Sequence, residues 1–359
     1  MVTSCGTLLQ SSFPARVDLD LFDSTQISNP PPGLAVRLLR AARRCVRFIV
    51  RFERRRPDAV LLFVALGGSI VEKGAMAWYA RLRGVPSVMF PRGGAIVDDC
   101  RTSAFTRTWA TCAFRGARQI VCQSELWRRF ATEVLGFAPA NVAVVRNWTA
   151  TRALLALGAA RAAEDHSPPR LLFVGWLERD KGIFELLEAA GRLLSSGRRF
   201  VLDVAGDGSA AAEARAAIAR LGLGEVVRLR SWLGDAELEA ALRESDVLVL
   251  PSWAEGLPNA MVEAMAARLA VVATRVGAIP EVVIHGRSAM LVEPRNAESL
   301  AAALAAVLDE PQLRRQIAAE GFRIAACDFE VERAVDRIVG LIGDAVAAGR
   351  DRRLTGRAL

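Results

Sequence analysis

A chain of 359 residues that is 52% hydrophobic and 24% charged carries enough apolar material for two folded domains, and disorder is excluded. Its formal charge of +8 asks for an anionic partner, namely phosphate, nucleic acid or a lipid surface. No run of eighteen apolar residues is present and Met1–Gln10 lacks the basic and apolar regions of a secretory signal, so a membrane-crossing helix and secretion are not expected.

In chain order, Thr7–Phe22 reads as a helix end running into a strand over ARVDLDLF, and Asn29-Pro30-Pro31-Pro32-Gly33 then breaks the chain. In residues 34–56, Arg37, Arg40, Arg44, Arg47, Arg51 and Arg54 recur every three or four residues and form one basic helical stripe. Leu34, Leu38, Ala41, Cys45, Phe48 and Phe52 form an apolar stripe beside it. Two readings stand level: docking on an anionic membrane surface, or a domain helix with a solvated basic edge. A buried strand, AVLLFVAL, ends at Gly67-Gly68-Ser69, and a helix from Glu72 to Arg83 and the strand SVMF follow. The next turn, Pro91-Arg92-Gly93-Gly94, supplies the acceptor-side or phosphate-side candidates of the first half. Arginine grips phosphate in a bidentate way, and glycines let the backbone come close. Asp98 and Asp99 are read first as solvated loop acids and second as acceptor contacts.

A helix, the strand RQIVCQS, a helix from Glu125 to Leu135 and the strand NVAVVRN close a first α/β domain over residues 1–150. Thr151–Arg170, Ala-rich and then charged up to His-Ser-Pro-Pro, reads as a linker. Residues 151–329 repeat the grammar: LLFVGWL, a helix opened by Lys181-Gly182, FVLDVAG, VVRLRSWL, DVLVLPS, AVVAT and AMLVEP, with helices between them and two more at the end. The last helix begins at Glu330 in a terminal segment, residues 330–359.

The densest chemistry lies in PSWAEGLPNAMVE, residues 251–263. Pro258 suits the first position of a helix, whose free N–H groups and positive dipole end would make an anion site just past Glu255. Glu263 falls about one and a half turns into that helix. Two carboxylates with an anion between them fit a nucleotide sugar: sugar hydroxyls, diphosphate, ribose hydroxyls. Lys181, after a strand and a tight turn, is placed to meet a diphosphate as a point charge. Gly206-Asp207-Gly208 is a turn after a buried strand, read equally as a plain turn or as a ligand contact. Six scattered cysteines without a CxxC pair and only two histidines, His166 and His285, argue against zinc and Ser–His chemistry. RNA-binding aromatic motifs and helix-turn-helix spacing are missing as well, so nucleic acid ranks last as a partner.

The Glu-x(seven)-Glu spacing before EAMAA, the run GWLERDKG and the Gly206-x-Gly208 turn, in this order, resemble the retaining group 1 glycosyltransferases of family 4. The likeness covers residues 57–345. It implies an α/β chain of two Rossmann-like domains facing across a cleft, the GT-B fold; relatives open the N-terminal domain with a strand and a glycine pair that do not stand out here, so either this start is truncated or that strand and loop are absent. The last helix would cross back to that domain. The resemblance implies that Glu255 contacts the donor hexose and Lys181 the diphosphate, the two residues taken as catalytic. Gly175, Arg179, Gly206, Asp207, Gly256, Leu257, Asn259 and Glu263 complete the donor site, the amides from Gly256 to Asn259 on the diphosphate and Glu263 on the ribose. The pattern departs at Trp176, where many relatives carry a second phosphate-binding arginine; either Arg179 takes its place or the site is less cationic. It departs again at Phe90-Pro91, where relatives often place a histidine. The expected activity is retaining transfer of a hexose from a UDP- or GDP-sugar to a lipid-linked or polysaccharide acceptor. It would run without metal or cofactor, in the cytoplasm or on the inner membrane face. A non-catalytic donor-binding subunit and a nucleotide-sugar epimerase are the rivals.

Overall fold

The structure, a computed structural model, describes residues 4–24, 33–65, 67–92, 95–161 and 166–355. Its contacts divide the chain into two compact units. One holds Leu9–Val145 together with the chain from Val335 onward, and the other holds Arg146–Ala334 together with residues 4–8. The cuts fall a few residues before and after the boundaries expected at 150 and 329.

The first unit contains α2 (Phe13–Arg16), α3 (Leu34–Arg55), β1 (Val60–Val64), α4 (Gly68–Leu82), β2 (Ser87–Pro91), α5 (Ala95–Thr102), α6 (Ala104–Phe114), β3 (Gln119–Cys122), α7 (Glu125–Arg129) and β4 (Val142–Val144). The preceding α1 (Ser4–Leu9) lies with the second unit up to Leu8. All pairings of the first sheet are parallel, in the order β1-β2-β3-β4. SVMFP of β2 is buried along its whole length, as a central strand covered on both faces requires. Its core includes Phe48 and Phe52 of α3, Met76 and Ala77 of α4, Met89, Phe114 and Trp127. On Gly74 of α4 a Cβ would stand 2.7 Å from that of Ala113, so α4 and α6 meet where only glycine fits.

Several sequence expectations change here. ARVDLDLF forms no strand: Val17 is extended, but no sheet partner runs beside residues 17–24 among the described residues, and Leu21 is exposed. Asp20 is held by Arg51 of α3 through Nε–Oδ1 at 2.8 Å, so an ion pair to a helix stands where a ladder was expected. Asp99 lies inside α5, and the helix begun by α7 continues as a π-helical turn, Phe130–Val134. The apolar stripe of α3 is only half core, since Phe48 and Phe52 are buried but Leu34 and Leu38 are exposed. Its basic stripe is partly consumed: Arg44 grips Glu72 of α4 with two hydrogen bonds of 2.8 and 2.7 Å.

The second unit runs through α8 (Arg152–Ala160), β5 (Arg170–Val174), α9 (Ile183–Ser195), β6 (Val201–Ala205), α10 (Ala211–Arg220), β7 (Val227–Arg230), α11 (Asp235–Glu244), β8 (Val247–Leu250), α12 (Asn259–Ala266), β9 (Ala270–Thr274), α13 (Ile279–Val282), β10 (Met290–Val292), α14 (Ala297–Asp309) and α15 (Pro311–Asp328). The chain then enters α16 (Val331–Thr355), which is grouped with the first unit from Val335 on. Three helices follow β10 where two were expected, because Glu310-Pro311 ends α14 and starts α15. The expected linker contains α8. Thr151 caps it by accepting from the Leu154 N–H at 3.3 Å, and Leu154 is buried. On Gly158 a Cβ would lie 2.2 Å from the Ala266 carbonyl oxygen, which sets α8 directly on α12.

The second sheet is also wholly parallel, with order β10-β9-β8-β5-β6-β7. The order reverses beside β5, whose neighbours are β6 on one side and β8 on the other. In such a sheet the ligand crevice lies outside the carboxyl ends of the strands at this switch point.

Candidate active site

The loops after β5, β8 and β9 meet at that point, and glycines make the meeting possible. Gly182 has a φ of +72°, and a Cβ there would stand 2.0 Å from the Pro251 carbonyl oxygen. Gly277 has a φ of +54°, with the corresponding distance to the Glu255 carbonyl oxygen at 1.9 Å. Trp253 binds the β8 loop to the β5 loop: its N–H donates to the Asp180 carbonyl at 2.7 Å and its indole to Glu185 Oε1 at 2.9 Å.

Within this clamp Lys181 Nζ donates to Glu255 Oε1 at 2.8 Å. Both side chains are largely but not wholly covered, at 25% and 15% exposure. An ammonium and a carboxylate expected to touch different parts of one donor therefore touch each other. Asn259 opens α12, and Pro258 is its extended N-cap, one position before the place expected for it. Asn147 Nδ2 donates to the Leu257 carbonyl at 2.6 Å and to Asn259 Oδ1 at 2.8 Å, holding the turn that presents the first amides of α12. The sequence places Asn147 at the end of the strand NVAVVRN, where the first domain closes and the family resemblance puts its hinge. The signal for its role is an amide side chain at the mid-chain junction.

Behind the pair, Glu263 is 1% exposed and neither carboxylate oxygen has a hydrogen-bond partner among the described residues. Burial pushes its carboxyl up to about 8, because the charged form loses its hydration. A buried polar group left open in this way is an unmet demand for a donor.

On the other side of β5, Gly206 has a φ of +155°, and a Cβ there would stand 1.8 Å from the Gly175 carbonyl oxygen. Gly208 is pressed likewise against the Leu177 carbonyl at 2.4 Å. Asp207 Oδ1 accepts from the Gly208 N–H at 2.8 Å, which assigns its carboxylate to closing the turn. Glu178 accepts from the Ser209 N–H at 2.9 Å and latches the two loops. Trp176 and Trp232 stand beyond this turn with ring centroids 4.7 Å apart and planes tilted by 43°, each more than a third exposed. Trp232 also lines a small recess with Val174, Gly175, Ala205, Gly206 and Leu233. In the sequence Trp176 stands out only as a departure from the family's arginine, and Trp232 belongs to no motif. The readable signal was an aromatic residue just past the end of two strands of one sheet.

Arg179 does not join Lys181. It pairs with Glu213 of α10, Nη2–Oε2 2.7 Å, and its guanidinium lies 4.8 Å from the Phe184 ring centre. In the first unit, the Arg92 N–H donates to the Val64 carbonyl at 2.9 Å and the guanidinium lies 5.9 Å from the Phe63 ring centre, at the carboxyl end of β1. Gly93 and Gly94 lie outside the described residues.

Residues 159–323 match the family described as glycosyl transferases group 1, and residues 14–148 match the glycosyl transferase 4-like domain. The chain belongs to the group 1 glycosyltransferases. Among curated relatives of this family, it is 28% identical over 173 residues to an alpha-D-kanosaminyltransferase of Streptomyces kanamyceticus, covering 48% of this chain and 45% of the relative. The chain spans under half the length of the curated relatives it matches first. Sucrose-phosphate synthase from Thermosynechococcus elongatus superimposes with a TM-score of 0.72 at 18% identity, covering 90% of this chain and 82% of that one. HepE from Anabaena, in complex with UDP and glucose, gives 0.68 at 20% identity, covering 88% and 84%. The architecture is that of GT-B glycosyltransferases, two Rossmann-like units in one chain.

Proposed function

We propose that this group 1 glycosyltransferase moves a hexose from a UDP- or GDP-sugar to a lipid-linked or saccharide acceptor, with retention at the anomeric carbon. The observation that carries the proposal is the Lys181–Glu255 pair beside the start of α12, together with Glu263, buried further along α12 without a hydrogen-bond partner among the described residues. A donor diphosphate takes Lys181 and the first amides of α12. Glu255, released, accepts from hexose hydroxyls, and Glu263 accepts from ribose hydroxyls. The Trp176–Trp232 pair offers the nucleobase a stacking surface. In the transfer the bond from C1 to the phosphate oxygen breaks and a bond from C1 to the acceptor oxygen forms on the same face. The acceptor proton passes to the departing phosphate. Lys181 and the helix amides, fixed in advance, take up the charge that develops on the leaving nucleoside diphosphate, and no metal is needed for that task.

The UDP and glucose bound by HepE support uridine as the first base to try. In the first unit, Arg92 at the carboxyl end of β1 is the acceptor-side residue of this reading. The place of action we propose is the cytoplasm, at the inner membrane face when the acceptor is a lipid. A second reading, a donor-binding subunit without transfer activity, is favoured by Trp176 in place of an arginine and by the commitment of Arg179 to Glu213.

The test is a melting-temperature panel with UDP, GDP, ADP and their sugars on wild type, Lys181→Ala and Glu255→Ala, followed by measurement of nucleotide release with acceptors. A ligand at about one hundred times its Kd adds about 2.7 kcal/mol to the folded state, well within reach of detection. Stabilisation by one nucleotide family, lost in Lys181→Ala and accompanied by sugar transfer, supports the transferase. The same stabilisation without turnover favours the subunit. No stabilisation by any nucleotide overturns both.

A further inference from the structure

Helix α3 carries three long faces. At 100° per residue, Ala41, Cys45, Phe48 and Phe52 point one way; Phe48 and Phe52 enter the core of the first unit and Cys45 packs against it. Arg40, Arg43, Arg47 and Arg54 lie together on a second face. The third is apolar and uncovered: Leu38, Leu39, Val46, Ile49 and Val50 are between 36% and 61% exposed, with Ala35 and Ala42 among them. It extends roughly 18 Å along the helix from Leu38 to Val50 at 1.5 Å per residue.

We infer that the exposed apolar face of α3, bordered by Arg40, Arg43 and Arg47, is a docking surface for an anionic lipid bilayer. α3 lies in the plane of the headgroups with Leu39, Val46 and Val50 inserted. The inference rests on the acceptor reading above for its purpose and on α3 alone for its support.

Charge decides the occupant. α3 holds eight arginines and one acid, Glu53, and that acid is spoken for by the Tyr79 hydroxyl at 2.6 Å and by Arg83. Arg44 and Arg51 are neutralised by Glu72 and Asp20, yet they lie on the side away from the apolar face. The arginines nearer that face, Arg40, Arg43 and Arg54, have no ion pair among the described residues. A second copy meeting on this face would set its own uncompensated arginines against these. A bilayer bearing negative headgroups accepts the apolar residues and the arginines together. No helix among the described residues is long and apolar enough to cross a membrane, so attachment of this kind is peripheral.

The experiment is flotation of the whole chain with vesicles of phosphatidylcholine alone and of phosphatidylcholine with phosphatidylglycerol, at low and high salt. Two variants accompany it, Arg40→Gln/Arg43→Gln and Leu39→Ser/Val46→Ser. Both alter exposed positions, and their melting curves, with and without UDP, check that the fold and donor site are unchanged. The expected result is binding to the anionic vesicles only. Two fewer arginines lower the partition by about 30-fold, and the serine variant does not float with either vesicle. Equal binding to neutral vesicles, no binding, or serine variants that shift the chain from dimer to monomer without any vesicle binding each overturn the inference. UDP binding reports separately on the donor site, so either reading can fail alone.

Discussion

Lys181 and Glu255 face each other at 2.8 Å, one on the loop after β5 and the other on the loop after β8. On the function proposed above, the pair fills the place where a donor would bring a diphosphate and sugar hydroxyls, so binding would exchange one ion pair for two new sets of contacts. Because the partners are partly exposed, the pair itself contributes little to folding, about 1 kcal/mol. Lys181→Ala is therefore expected to melt within a few degrees of wild type yet lose about 100- to 1000-fold in kcat, as removal of one fixed donor to a developing charge does. Glu255→Gln, which keeps hydrogen-bonding capacity to hydroxyls, is expected to keep nucleoside diphosphate binding and lose discrimination among sugars. Comparing Kd for UDP with kcat/KM for the sugar nucleotide checks both. A Lys181→Ala variant with full activity would remove the lysine from the mechanism.

Glu263 gives a pH dependence of definite sign. Its folded carboxyl titrates at about 8 against an ordinary 4.5, so the folded state holds a proton that the unfolded state has lost. The stability associated with that proton is fully present below 4.5 and is lost as pH rises through 8. Glu263→Gln, neutral at every pH, is expected to match wild type near pH 4.5 and to melt higher than it at pH 8, by roughly 2–4 °C for each kcal/mol regained. Ribose hydroxyls donating to the carboxylate favour its charged form. UDP binding is then expected to tighten between pH 6 and 8 more steeply in wild type than in Glu263→Gln, a comparison in which the ionisation of the diphosphate itself cancels. Melting curves and calorimetric titrations across that range decide it.

How much of this was readable beforehand depended on whether local chemistry decided the structure. Strand runs such as LLFV and VLVL, apolar on both faces and followed by glycine or proline turns, can only be central strands of a covered parallel sheet. The strands of the second sheet, and the turns after them that carry Lys181 and Glu255, were legible for that reason, while the spatial order of the strands comes from the structure. The motif spacing placed Glu263 correctly on a helix, but its isolation comes from α12 being buried all round, which no residue of the motif announces. Residues 17–24 alternate like a strand, and their fate was set by Arg51, a partner 31 positions from Asp20 that periodicity does not see. Arg179 failed for the same kind of reason, since Glu213 on α10 claims it. Thr151, a cap followed by an Ala- and Leu-rich run, was a legible helix start that the nearby prolines obscured.

Trp176 and Trp232 are expected to act as one unit. The rings touch, so removing either exposes the face of the other and disturbs its orientation. Base–aromatic stacking is worth about 1–3 kcal/mol per base, which sets a loss of roughly 5- to 150-fold in UDP affinity for Trp176→Ala or Trp232→Ala. The double variant should lose little more than the larger single one, a non-additivity expected for residues in contact. Pyrophosphate binding should be unmoved in all three. Additive losses, or equal losses for pyrophosphate, would mean that the indoles support the loop and do not meet the base.

Gly182 tests whether the clamp itself matters. Alanine there meets two obstacles at once: a left-handed backbone with φ +72°, and a carbonyl oxygen of Pro251 only 2.0 Å from the new Cβ. The oxygen belongs to backbone at the end of β8, so it cannot swing aside as a side chain would. The strained conformation costs on the order of 1–3 kcal/mol, and the clash must be relieved by separating the loops that carry Lys181 and Glu255. Gly182→Ala is expected to lower the melting temperature by several degrees and to raise the KM for donor more than tenfold, because the two charged groups no longer converge. Gly197, with a similar φ of +81° but nothing within 4 Å of its Cβ, is the matched control. Gly197→Ala should carry a strain cost of the same order and leave KM alone. If both variants lose donor affinity equally, global destabilisation is the cause; if only Gly182→Ala does, the approach of the two loops is what builds the site.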